Sequence, residues 1–301
     1  MEQLLLFIRL ARLQFIVGAM LLFGLGAGVA RFLGASIDWN LYLIGQAWVS
    51  LVQLSTHFLN EYYDAPMDEH NPNRTPFSGG SGALGPGKLR REVALWSGIS
   101  CLTIAASLTV LLIRMAAPDG GLIMILALIF LGAFFYSTPP VRLASTGYGE
   151  LTTSIIVANL VPALSFMLQY GELHRLLAMA TFPLTLLHLA MMLAYEFPDY
   201  ASDFKYQKQT LLVRMGWERG MLMHNLLILV SFLVLGTAAI LGLPLAIALP
   251  GFLSLPLGLF QIWMMNRIGD GAKPNWPALT FTAAALLGIT VYLLMFAFWT
   301  R

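Results

Sequence analysis

The sequence predicts an all-α integral membrane protein, a bundle of nine transmembrane helices with two Asp-rich motifs on its cytoplasmic face. Three observations carry this expectation. Hydrophobic residues make up 58% of the 301 residues, charged residues only 11%, and mean hydropathy is +0.76. A soluble globular chain carries about 25% charge, so a soluble enzyme and a disordered chain are both excluded. The apolar stretches are continuous and roughly 20 residues long, as a spanning helix needs, without the alternation of a β-barrel. The third observation is that Lys and Arg are distributed unevenly between the loops on alternate sides of those stretches.

The spans read near 15–34, 41–61, 93–113, 121–137, 150–170, 177–197, 222–242, 244–265 and 278–299. The residues before the first carry Arg9 and Arg12, and the apolar run has no clear cleavage site, so no secretory signal is expected. Gly18, Gly24, Gly26 and Gly28 in the first span suit close helix packing. The second span carries Gln53, His57, Asn60 and Asp64, spaced 4, 3 and 4; at about 100° per residue they form one polar stripe turned to the protein interior. Pro66 predicts a bend or stop near Asp64–Ala65, and Pro198 one near Glu196–Phe197. The third span holds Cys101, the single cysteine, which excludes an intrachain disulfide. In the sixth, His188 and Asp199 repeat an eleven-residue spacing. Gly242-Leu243-Pro244 forms a tight turn between the seventh and eighth, and Pro250 and Pro256 kink the eighth.

No soluble domain can be cut out, so 1–301 reads as one transmembrane domain whose longest polar stretches are near 62–92 and 198–221. Thirteen of the seventeen Lys and Arg residues fall on the side that holds the N-terminus. That asymmetry places the N-terminus in the cytoplasm and, with nine spans, the C-terminus outside, across a cell inner or plasma membrane. A net charge of +2 is too balanced for a nucleic-acid binder, and nothing specifies a protein partner.

The acids cluster. Of fifteen, Glu61, Asp64, Asp68 and Glu69 share one stretch, and Glu196, Asp199 and Asp203 share another. Each group ends an even-numbered span, which puts both on the cytoplasmic face. Asp64 and Asp68 are four apart, as are Asp199 and Asp203, a spacing that shares a helix face. Arg74 follows the first pair and Lys208 the second. Two carboxylate pairs at close quarters repel unless a cation sits between them. Hard oxygen donors suit Mg²⁺, which keeps waters and is completed by substrate phosphates, and the neighbouring bases suit phosphate oxygens. The pattern points to a diphosphate held through Mg²⁺ between two Asp pairs. Solvated loop charge explains a single pair as well; two copies at equivalent helix ends favour the site.

With these residues in view, Asn60-x₃-Asp64-x₃-Asp68 resembles the first signature of the UbiA superfamily of intramembrane prenyltransferases, and Asp199-x₃-Asp203 followed by Lys208 resembles the second. The segment 136–151 looks like that family's loop between the fourth and fifth helices, and its Tyr136, Gly147, Gly149 and Glu150 are closest to the 1,4-dihydroxy-2-naphthoate prenyltransferases of menaquinone biosynthesis. The resemblance implies Mg²⁺-dependent transfer of a polyprenyl group from a polyprenyl diphosphate to an aromatic quinone precursor, with dihydroxynaphthoate the expected acceptor. It implies Asp64, Asp68, Asp199 and Asp203 as metal ligands, Asn60 as their support, and Arg74 and Lys208 as partners of the departing diphosphate. Tyr136 and Arg142 are expected on the substrate side. Gln53 and His57, deeper on the Asp64 face, are expected to shape or polarise the acceptor. Glu196, three residues before Asp199, stands where the menaquinone branch usually has Asn and is expected to hold metal or metal-bound water. Further departures are Gln207 for a common Gly, Leu13 for a frequent Pro and Thr146 for a frequent base.

Phe58, Tyr62, Tyr63 and Tyr136 lie near the acids in sequence, where aromatic faces suit an allylic cation. Gly79-Gly80-Ser81-Gly82 reads first as a flexible connector, although the loop's length and Arg74 also suit a cap that keeps water away. Two rivals remain at this stage: a related transfer to 4-hydroxybenzoate, homogentisate or another acceptor, and a cation-binding membrane transporter. Transport favours acids near mid-bilayer in interrupted helices, whereas these sit at one face beside bases.

Overall fold

Apolar runs of this length, capped by short polar side chains and broken mainly at Pro and Gly, have little choice but to form helices in lipid. The computed structural model describes residues 1–116 and 119–301. Among them the regular structure is helical, apart from an isolated bridge between Leu84 and Leu89. The chain begins with α1 (Glu2–Ala11), α2 (Gln14–Phe32), α3 (Trp39–Asp68), α4 (Arg91–Ala116) and α5 (Gly120–Ser137). Then α6 (Gly149–Ile155) and α7 (Val161–Tyr170) join through a π-helical turn at Ile156–Leu160. α8 (Arg175–Glu196) leads to the short α9 (Tyr200–Lys205) and α10 (Leu211–Met215). α11 (Trp217–Ile240), α12 (Leu245–Phe252), α13 (Leu255–Gly269) and α14 (Trp276–Trp299) complete the bundle.

Eight segments of the described chain are long and apolar enough to cross a membrane: α2, α4, α5, Gly149–Tyr170, α8, α11, Leu245–Gly269 and α14. The longest helix, α3, has 30 residues, or about 45 Å, but its polar stripe keeps it out of that group. Side-chain caps fix several helix starts: Asp38 accepts from Asn40 N–H at 2.8 Å and Leu41 N–H at 3.1 Å, and Asp119 accepts from Leu122 N–H at 2.9 Å. Large apolar side chains such as Leu4, Leu5, Leu233, Ile240 and Leu253 cover the outside, as a lipid-facing surface requires.

The proline expectations divide. α8 stops at Glu196, ahead of Pro198, and the eighth span breaks into α12 and α13. α3, by contrast, runs through Pro66 to Asp68. Pro66 has no N–H to give to Tyr62 O, and Arg91 Nε donates to that carbonyl at 2.6 Å instead. The π turn precedes Pro162, whose missing N–H opens the ladder at that point. α2 packs on α7 and α14, and α8 on α11 and α14. At Gly26 a Cβ would collide with the Pro162 carbonyl, so only glycine permits this approach of α2 to α7. Gly18 does otherwise than expected: no atom lies within 4 Å of its Cβ position, and it faces a cavity.

Candidate functional site

The two acid stretches meet at one end of the bundle. Asp64 and Asp68 occupy the last turns of α3, while Asp199 sits at the N-cap position of α9 with its side chain turned away from the helix and Asp203 lies one turn on, its N–H donating to Asp199 O at 2.8 Å. Lys208 Nζ bridges the two stretches, 2.8 Å from Asp64 Oδ2. Asn60, one turn before Asp64, donates to the same oxygen at 2.9 Å and to Ser137 Oγ at 3.3 Å. A loop from the first motif folds across the second: Asn71 Nδ2 donates to Asp199 Oδ1 at 2.6 Å and Gly79 N–H to Asp199 Oδ2 at 2.9 Å. The glycine-rich loop is therefore no loose connector. It is stapled by Ser81, whose N–H and Oγ both donate to Glu61 at 2.6 Å, and by Arg12, which donates to Phe77 O at 2.9 Å.

Burial of so much charge shifts where these groups titrate. Burial pushes Asp203 up to about 7, a rise that Lys208 opposes and Asp199 and Asp64 reinforce. Asp199 is pushed up to about 6, again by burial, with Asn71, Lys208 and the Gly79 N–H pulling the other way. Burial works against the Lys208 charge, but Asp64 and Asp203 outweigh it and hold the ammonium above its ordinary value. Among the described residues no three His, Cys, Asp or Glu side chains close on a single point as a metal cage would. The donor set, carboxylate oxygens on an open rim, suits instead a hard cation completed by water and phosphate.

These residues rim a cavity of about 520 Å³ that runs into the bundle. Asn60, Asp64, Asp68, Asp199, Asp203 and Lys208 line its mouth, and Gln53, His57, Tyr136 and Glu196 line it too. Gln53 and His57 spend one polar atom each on the backbone, Gln53 Nε2 on Phe15 O at 3.1 Å and His57 Nδ1 on Ala11 O at 3.2 Å. Glu196 does not share a helix with Asp199, because α8 ends at Glu196 itself; its Oε2 accepts from Leu212 N–H at 2.9 Å and anchors α10. Arg74 and Arg142 are not brought to the cavity. Arg74 donates to the carbonyls of Gly79, at 2.7 Å, and Asp68, so it holds the loop. Arg142 is exposed, over the Tyr63 ring at 5.9 Å.

The aromatic expectation is largely redirected. Tyr62 packs under Arg91 at 4.2 Å and Phe58 stacks on Phe7 at 5.7 Å. Below the mouth stand Phe15, Phe77 and Tyr195, with centroids 5.5–6.1 Å apart. Spacing gives no sign of Arg12, Phe15, Asn71 and Phe77: the first two come from the junction of α1 and α2 and the others from the α3–α4 loop, and no sequence period joins the two segments.

With this geometry in hand, a family model described as "UbiA prenyltransferase family" matches residues 19–286. The chain belongs to the UbiA prenyltransferase family. This prenyltransferase is 24% identical over 193 residues to the 1,4-dihydroxy-2-naphthoate octaprenyltransferase of Bacillus subtilis (strain 168), a match covering 64% of the chain and 60% of that relative. A UbiA homologue from Archaeoglobus fulgidus, solved bound to DMAPP and Mg²⁺, shares its fold at a TM-score of 0.66 and 16% identity, over 95% of this chain and 99% of that one. The apo UbiA homologue of Aeropyrum pernix K1 aligns with a TM-score of 0.64 and 13% identity, over 93% and 97%. Family membership, with eight segments long and apolar enough to cross a membrane among the described residues, favours an enzyme over the transporter alternative.

Proposed function

We propose that this prenyltransferase moves a polyprenyl group from its diphosphate to an aromatic quinone precursor, 1,4-dihydroxy-2-naphthoate, in menaquinone biosynthesis. The observation that carries the reading is the meeting of two Asp pairs and Lys208 at the mouth of a largely apolar cavity. Asp64, Asp68, Asp199 and Asp203 would hold Mg²⁺, which supplies charge stabilisation to a departing diphosphate. Asn60 orients Asp64, and Lys208 adds a fixed positive charge where leaving-group charge develops. The apolar wall accepts the prenyl chain, and the ring cluster of Phe15, Phe77 and Tyr195 faces the electron-poor allylic carbon and excludes water. The folded loop over Asp199 seals the site from the aqueous side. Gln53, His57 and Tyr136 shape the space for the acceptor.

The reading also takes α3 as a ninth span, with the N-terminus cytoplasmic and the C-terminus outside. The naphthoate acceptor is supported by the named Bacillus relative and by Tyr136 and Glu150 of the 136–151 segment. The test is a product panel. Membranes containing the protein are given geranylgeranyl diphosphate with Mg²⁺ and, separately, dihydroxynaphthoate, 4-hydroxybenzoate or homogentisate, and products are weighed by mass spectrometry. Prenylated naphthoate is the expected product; transfer to one of the other two alone reassigns the acceptor.

A further inference from the structure

His188 is a buried histidine that the diphosphate site does not use. It lies on α8, eight residues or about 12 Å along the helix axis before the helix ends at Glu196, and so deeper than the carboxylate rim. It is 4% exposed and lines the cavity. Its Nδ1 is 2.9 Å from Ser154 Oγ. That hydroxyl has one hydrogen, and it is committed to Glu150 O at 2.7 Å, a carbonyl that can only accept. Ser154 Oγ must therefore accept from Nδ1–H. In the neutral ring this leaves Nε2 as a lone-pair acceptor. Nε2 has no partner among the described residues and is not one of the polar atoms sealed from space, so it opens on the cavity. The cavity lining drawn from α8 and from the segment after Ser154 is mainly apolar, with Ile156, Val157, Val161, Met191 and Met192, although Thr153 and Glu196 also line the cavity.

One fixed acceptor in an apolar wall selects a flat or apolar ligand that carries a hydrogen-bond donor. A hydrocarbon tail seated there would leave Nε2 desolvated and unpaired, an arrangement disfavoured by about tenfold to a hundredfold. We propose that His188, held in one tautomer by Ser154, accepts the hydrogen bond of an aromatic acceptor's ring hydroxyl and so determines which way the ring is presented to the prenyl donor. The proposal rests on the reading of the substrate as an aromatic acceptor. Donation to Nε2 also leaves more electron density on the ring carbons, which favours their attack on an electron-poor allylic carbon.

The test compares dihydroxynaphthoate with its two mono-O-methyl ethers in wild type, His188→Phe and His188→Gln. The quantity read is the hydroxyl-to-ether ratio of kcat/KM, together with binding of a non-hydrolysable prenyl diphosphate analogue. In wild type one ether loses about tenfold to a hundredfold. His188→Phe abolishes that preference with analogue binding intact, and His188→Gln, whose amide oxygen can accept, restores part of it. A preference unchanged in His188→Phe overturns the proposal. If that variant does not fold, wild type decides alone: equal use of both ethers and the parent also overturns it. Transfer only to acceptors with no ring hydroxyl overturns this proposal and the acceptor reading together. Hydroxyl-indifferent transfer to the naphthoate overturns this one only.

Discussion

At the residue scale the site divides by depth. Asp64, Asp68, Asp199 and Asp203 stand at the mouth, and Gln53 and His57 line the same cavity one to three turns further along α3. Changing any one of the four Asp to Asn removes a carboxylate from the rim. A loss of about 10²–10³ in kcat is expected, whichever acceptor is offered. Gln53→Leu and His57→Phe are expected to lower transfer while leaving binding of a prenyl diphosphate analogue nearly intact. Equal loss of analogue binding in both sets would move His57 into the diphosphate site. The raised carboxylates add a pH prediction. Asp199 and Asp203 hold protons up to about 6 and about 7, whereas an unfolded Asp releases its proton near 3.9. The metal-free fold therefore binds more protons than the unfolded chain between those values, and its stability falls as pH rises from about 4 to about 7. If these carboxylates hold Mg²⁺ as proposed, they would have to give up those protons to bind it. Its half-saturating concentration should rise by up to about tenfold per pH unit on going from 7 to 5.5, read by thermal shift or by diphosphate release. A Mg²⁺ titration independent of pH over that range would show these carboxylates ionised without metal.

At the element scale the decisive piece is the loop between α3 and α4. Gly79, Gly80 and Gly82 all take positive φ, and they turn the loop back over the second motif. At Gly80 (φ +72°) an added Cβ would strike the Asp68 carboxylate, whereas at Gly87 (φ +73°) nothing lies within 4 Å. The two positions separate backbone strain from site geometry. Gly87→Ala is expected to cost about 1 kcal/mol of stability with turnover retained. Gly80→Ala carries the same strain and also displaces Asp68, so kcat should fall by about 10²-fold or more. Similar turnover in the two variants would show that the position of Asp68 is not critical. The loop is held to the acids by Asn71 on Asp199 and Ser81 on Glu61, and to itself by Arg74 on the Gly79 carbonyl.

On the scale of the whole molecule, both motif loops lie on one end of the bundle, because Asn71 and Gly79 of one contact Asp199 of the other. Tags placed near Ser78 and near Gln207 must therefore report from the same side of the membrane. On the proposed topology, with the Lys- and Arg-rich side in the cytoplasm and α3 as a ninth span, a tag after Arg301 is expected on the other side. Accessibility labelling in intact cells reads all three. A C-terminal tag on the same side as the loops would remove one span from the bundle. α3 is where that risk lies, since its polar stripe is what excludes it from the segments that qualify by composition.

What the sequence determined by itself was the part of the protein that depends on local pattern. Continuous apolar runs specify helices in lipid regardless of their neighbours, and the four-residue spacing of Asp64/Asp68 and Asp199/Asp203 survives into the structure because one helical turn is a local property. The helix break ahead of Pro198 is local in the same sense. Tertiary structure decided everything that needed two distant segments. Pro66 did not stop α3, because Arg91, 25 residues later, supplies the missing hydrogen bond. Arg74 turned from an expected phosphate ligand into a loop staple, and Arg12 came to the mouth of the cavity. The ring cluster assembled from Phe15, Phe77 and Tyr195 instead of from the tyrosines beside the first motif. The physical reason is common to all of them. A side chain's periodicity tells which face of its own helix it occupies, but only packing tells what that face meets.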